Sequence, residues 1–242
     1  MPLQFEPLKN RALRDAIATA IRAAIAAGQL RPGDAVPEAL IAEQMGVSRS
    51  PVREAFRKLE EQGLLVSYPH RGTYVATFDE RDAEEIYQLR VGLEGLAVRW
   101  ALEQGEGAAL ADRLQRIVER MRPLIGTNLF GEMADLDSEF HTAIMEASGN
   151  SRLVQVWRGM DPFVWMMVGA ARRSEDEVVP DRLIPEHEEL VEAIASLDVR
   201  RAEEAAHAHI LRRRAYTLAT LKEDLAPAGG VVARGPMEDG RV

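Results

Sequence analysis

Apolar residues recur at Leu13, Ile17, Ile21 and Ala24, in the four- and three-residue steps that keep to one helix face. Gly28 ends that stripe, and Pro32 and Gly33 mark a turn. A short helix is predicted from Glu38 to Met45, with Leu40, Ile41 and Met45 apolar. Gly46 stands where a helix end needs a positive φ. Ser48 is a good N-cap for the next helix, and Pro51 falls in its first turn, where a missing N–H costs nothing. That helix is expected to run to about Glu61 and stop at Gly63. Two β-prone runs follow, LLVSY and TYVAT, separated by Pro69, His70, Arg71 and Gly72 as a hairpin tip. Helix, helix, tight turn, helix, hairpin is the outline of a winged helix-turn-helix.

From Asp79 the periodicity is almost wholly helical. Six helices are predicted, at about 79–104, 108–123, 128–147, 151–173, 183–196 and 199–222. Their breaks are Gly105 with Gly107, Gly126-Thr127, Gly149-Asn150, the acidic stretch 174–181, and Leu197-Asp198. The last residues, rich in Gly and Pro and without periodicity, are expected to be disordered. The expected fold is therefore mostly α. A winged helix-turn-helix occupies 1–78, an all-α six-helix bundle 79–223, and a tail 224–242.

Charge divides the chain at the same place. Residues 1–78 hold 10 Lys plus Arg and 8 Asp plus Glu, a net of +2, and the remainder hold 20 and 31, a net of −11. Two halves with different partners are expected. The chain has no cysteine, which excludes disulfides and thiolate metal sites. Neither a secretory leader nor an apolar run of membrane-spanning length is present, so a cytoplasmic protein is expected.

Two sets of residues carry chemistry. Arg49, Arg53 and Arg57 lie four apart, a stripe that drifts only about 40° per step on a helix. Beside it run Val52, Ala55, Phe56 and Leu59, which dock the helix on a core. A charge stripe is usually a solvated face. Here it begins in the first turn of the helix after the tight turn, with Arg71 following in the wing, and an arginine fork suits guanine O6 and N7. The second set is histidines. Asp137 and His141 are i, i+4, His187 heads the stripe Leu190, Val191, Ile194, and His209 shares a face with Ala202, Ala205 and Ala206. His207 is 200° from His209 and points elsewhere. One histidine on an apolar face is ordinarily a hydrogen-bonded core residue. Three that can converge from three helices with a carboxylate point to a metal in a bundle core, with Zn, Ni, Mn and Fe all suited.

GVSRSPVREAFRKLEEQGLL, with LRPGDAVPEALIAEQM before it and PHRGTYV after it, resembles the DNA-binding domain of GntR-family bacterial transcription regulators. The resemblance implies base contact from Arg49 and Arg53, with Ser48, Ser50 and Arg57 on the same surface, and wing contact from Arg71 and Gly72. Some members carry an arginine where this chain has Ala39. LRVGLEGLAVRWA, DSEFHTAIMEASGN, PEHEELVEAI and AHAHI resemble the FCD ligand domain of the FadR-type branch, and six helices fit its VanR-like group. This implies metal binding by Asp137, His141, His187 and His209, and places Arg90, which opens an RxxxE pattern, against an effector carboxylate. The expectation is a homodimeric repressor on a pseudo-palindromic double-stranded DNA operator, responding to a small organic acid, and not an enzyme. A metal-dependent hydrolase and a metal-ion sensor are the alternatives for the same His/Asp site.

Overall fold

The computed structural model describes residues 10–77, 79–170 and 179–224. α1 (Asn10–Ala26), α2 (Glu38–Gln44) and α3 (Arg49–Glu61) are followed by β1 (Leu65–Tyr68) and β2 (Gly72–Val75). The strands pair antiparallel with Leu65 opposite Val75 and Tyr68 opposite Gly72, and Ala35 bridges to Tyr74. Gly46 adopts φ 64, which lets α2 turn sharply into α3. Ser48 is the N-cap residue of α3, although its hydroxyl makes no capping hydrogen bond. One core holds Ile17, Ile21, Ile25, Val52, Phe56, Leu59, Leu64 and Val75.

The helical part begins with a reciprocal cap. Asp79 Oδ1 accepts from the amides of Arg81 and Asp82, and Asp82 Oδ2 accepts from the amide of Asp79. α4 (Glu80–Glu103), α5 (Gly107–Met121), α6 (Phe130–Ala147), α7 (Ser151–Ala170), α8 (Leu183–Ala195) and α9 (Val199–Asp224) follow. α5 stops earlier than its periodicity predicts. Arg122–Leu124 tighten into a 3-10 turn around Pro123, which has no N–H to continue the α ladder. The predicted end of α7, the acidic stretch 174–178 and the tail from 225 lie outside the described residues. A second core gathers Val98, Leu114, Val118, Phe140, Ile144, Trp157, Leu190 and Ile194.

α4 and α9 run antiparallel along each other. Glu84 pairs with Arg214, Tyr87 with Thr217, and Arg99 with Glu203. Between these pairs α4 has Gly95, and a Cβ there would lie 2.1 Å from His207 Nε2. The His207 ring therefore fills the place of a side chain, half-buried against α4. Its 200° offset does take it away from His209, but α4 covers that side of α9. The two cores meet at α6. Ala134, fully buried, joins the winged-helix core, and the Cβ position of Gly131 is 3.7 Å from Ala23 of α1.

Candidate metal centre and nucleic-acid interface

α6 supplies Asp137 and His141 one turn apart, α8 supplies His187, and α9 supplies His209. All four are buried, and the three histidines offer nitrogen atoms within 4.8 Å of one another. The ring contacts agree, with centroids 4.8 Å apart for His187 and His209, 5.3 Å for His141 and His209, and 6.0 Å for His141 and His187. Asp137 Oδ1 lies 3.2 Å from His187 Nε2 and Oδ2 3.8 Å from His141 Nε2. Phe140 stands edge-on to His187 and walls the cluster from the core.

The other ring nitrogens fix the tautomers. His141 Nδ1 donates to Glu94 Oε2 at 2.6 Å, His187 Nδ1 to the Leu183 carbonyl at 2.7 Å, and His209 Nδ1 to the Glu186 carbonyl at 3.2 Å. A neutral imidazole carries one N–H, so each Nε2 is left with a lone pair. All three Nε2 atoms are buried without a hydrogen-bond partner. An unsatisfied buried acceptor costs about 1–3 kcal/mol. Three lone pairs and one carboxylate facing one another, with no donor among them, fit a divalent cation.

The electrostatics favour the ligating forms. Burial acts first to raise the Asp137 pKa, but His141, His187 and Arg213 outweigh it and hold the carboxyl well below its ordinary value. Burial, then proximity to His187, His141 and Arg213, which would repel an added positive charge, push the His209 pKa well below the histidine value and keep the ring neutral. Glu94 is fully buried between two partners. Burial would raise its pKa, and His141 and Arg90 together bring it below the usual carboxylate value.

Arg90 lies on the side of the cluster where Glu94 sits. Its Nε donates to Glu94 Oε1 at 3.0 Å, and its guanidinium carbon lies 5.3 Å from the Trp157 ring centre and 5.6 Å from that of Tyr87. Its Nη2 is buried and unpartnered. Two residues near the cluster have no role in the sequence reading. Glu94 ties Arg90 to His141, and its only signal in the sequence is the four-residue spacing from Arg90. Arg213, one turn beyond His209 on α9, acts electrostatically on Asp137 and His209 and makes no ion pair among the described residues.

The arginine stripe is exposed along α3, as are Ser48, Ser50, Arg71 and Gly72. Arg53 is not free. Its Nε donates to both oxygens of Glu38 on α2, at 2.8 and 3.2 Å. Lys58 is turned inward, with Nζ 2.9 Å from Asp15 of α1. In the wing, Gly72 takes φ 99 and His70 φ 61, which folds the tip tightly. The Tyr74 hydroxyl donates to the Arg71 carbonyl, and Tyr68 and Tyr74 meet edge-to-face.

A winged helix joined to an all-helical bundle with three buried histidines defines a two-domain architecture whose first half is of DNA-binding type. The comparisons give the family. Residues 13–75 match the family described as Bacterial regulatory proteins, gntR family, and residues 85–212 match the FCD domain. A protein of Paenarthrobacter nicotinovorans described as "Probable D-xylose utilization operon transcriptional repressor" is 31% identical over 233 residues, covering 95% of this chain and 98% of that one. The gluconate operon transcriptional repressor of Bacillus subtilis is 28% identical, over 75% of each chain. Among solved structures, a GntR-type regulator from Rhodococcus sp. RHA1 superposes with a TM-score of 0.63 at 23% identity, covering 86% of this chain and 98% of that one. E. coli McbR/YncC gives 0.62 at 23%, covering 88% and 98%. These two show the fold. The chain belongs to the GntR family of transcription regulators and carries an FCD domain. Among the described residues no helix is long and apolar enough to cross a membrane.

Proposed function

We propose that this regulator is a cytoplasmic homodimeric repressor that releases a pseudo-palindromic operator when a small organic acid binds at a divalent metal in the helical domain. Residues 1–78 bind DNA, and 79–223 sense the effector and dimerise. The observation that carries the sensing half is the set of three buried, unpartnered Nε2 lone pairs beside Asp137. Asp137, His141, His187 and His209 would hold the ion. Bound there, it supplies a Lewis-acidic position that a carboxylate oxygen can occupy. The residues around it do the selecting. Arg90 presents Nη2 to the effector through a charge-assisted hydrogen bond, held in line by Glu94 and the Tyr87 and Trp157 rings. Arg213 adds positive charge on the α9 side. Repression rests on the relatives, whose printed names include repressors of the D-xylose and gluconate operons.

DNA readout is assigned to Arg49 and Arg53, with Ser48, Ser50 and Arg57 on the same face and Arg71 and Gly72 in the wing. Arg49→Ala or Arg53→Ala is expected to cost about 1–3 kcal/mol at the operator and to relax its sequence preference. The test of the sensing half is elemental analysis beside operator titration. Wild-type protein prepared without chelator should hold about one divalent ion per chain, and His187→Ala should not. Arg90→Ala should keep the metal and lose the response to added carboxylates. A metal-free wild type that cannot be reconstituted would make these ordinary core histidines.

A further inference from the structure

Among the described residues, Arg49 and Arg57 make no hydrogen bond or ion pair, whereas Arg53, between them on α3, is clamped by Glu38. The Arg53 side chain is nevertheless 61% exposed. An ion pair that open to water adds little to stability. The clamp therefore needs another explanation, and its geometry supplies one.

Glu38 engages Nε alone, while neither Nη atom is bonded among the described residues. A guanidinium held by Nε keeps its two Nη groups as a coplanar pair of donors. That pair is what a guanine edge requires, with O6 and N7 as acceptors. A free arginine loses rotamer freedom on binding, and one held by Nε has already lost much of it. The carboxylate has a second effect. Standing at the DNA-facing surface, it repels phosphates and so opposes sequence-independent binding.

We propose that Glu38 is a specificity-determining positioning residue. It holds Arg53 by Nε so that the Nη edge meets a guanine, and its charge penalises DNA that offers no such guanine. This rests on the reading that Arg53 contacts a base.

The experiment uses the full chain and duplexes selected from a randomised pool. Wild type, Arg53→Ala, Glu38→Ala, Glu38→Gln and the Glu38→Ala/Arg53→Ala double variant are titrated against the selected site, every single-base change in it, and a random duplex. Arg53→Ala should flatten the preference at one base pair in each half-site by about tenfold. Glu38→Ala should flatten the preference at that same pair and bind random duplex more tightly than wild type. The double variant should lose no more discrimination than Arg53→Ala alone. Glu38→Gln, which still offers Nε–H an acceptor, should keep more of the preference than Glu38→Ala, and it covers the case in which the alanine variant folds poorly. If Arg53→Ala leaves every preference unchanged, the base-contact reading falls and the positioning role falls with it. If Arg53→Ala flattens one pair while both Glu38 variants keep the wild-type preference there, or lose one at a different pair, the clamp does not position Arg53.

Discussion

His141, His187 and His209 each commit Nδ1 to a protein oxygen, and this decides what the cluster can do. A ring whose Nδ1–H is already donated has only a lone pair to offer inward. Glu94 makes the one carboxylate bond in this outer layer. Glu94→Gln keeps the shape but removes the charge that both orients His141 and balances Arg90. Metal affinity is expected to fall about 10–100-fold, measured by competition with a chelating dye. The metal-stripped protein has its own pH signature. His209 is held well below the ordinary histidine value, first by burial and then by the unfavourable placing of a second proton beside His187, His141 and Arg213. On acidification below about pH 6.5 the unfolded chain takes up a proton that the folded one refuses. Stability of the stripped protein is therefore whole above about pH 6.5 and falls as the pH drops further. Asp137, also depressed, extends the loss into the carboxylate range. Thermal melts of chelated protein between about pH 8 and pH 5 check this, and a Tm that rises on acidification contradicts it.

At the scale of elements, the α4–α9 seam depends on a missing side chain. Gly95→Ala would drive a methyl into the His207 ring, so it should lower Tm, and His207→Ala in the same chain should restore most of the loss. A double-mutant melt series decides the point. That seam also marks how far the sequence can be read. Helix ends at Gly28, Gly46, Gly63, Gly105 and Gly149 announce themselves, because a positive φ is cheapest for glycine. The grouping of Asp137 with His141 follows from one helical turn. What joins His141 to Glu94 is a different matter. They are 47 residues apart on separate helices, and no periodicity within α4 or α6 encodes how closely the two pass. His207 illustrates the same limit. Its angle from His209 is legible in α9 alone, but the helix covering it is not. Lys58, one residue after Arg57 on α3, is turned inward because Asp15 of α1 lies within reach, and that contact between separate helices is likewise not legible in the periodicity of α3. Lys58→Ala is thus expected to disturb the α1–α3 packing more than DNA affinity, separable by melting against operator titration.

For the whole molecule, a half-site reader with one winged domain per chain needs a partner to span a pseudo-palindrome. Light scattering of the full chain should give twice 26.8 kDa, and nuclease footprinting should show two protected half-sites an integral number of helical turns apart. α6 bears on both halves of the chain. Its first turns hold Gly131 and Ala134 against α1, and its next turns hold Asp137 and His141. Ala134→Leu overfills that contact, and should weaken the effector response while leaving metal content intact. One rod bearing on both halves cannot transmit in a single direction. If an acid at the metal lowers operator affinity by some factor, operator DNA must lower affinity for the acid by the same factor. A cell's few operator-bound dimers would then be its least sensitive copies, and the free pool would answer the acid first.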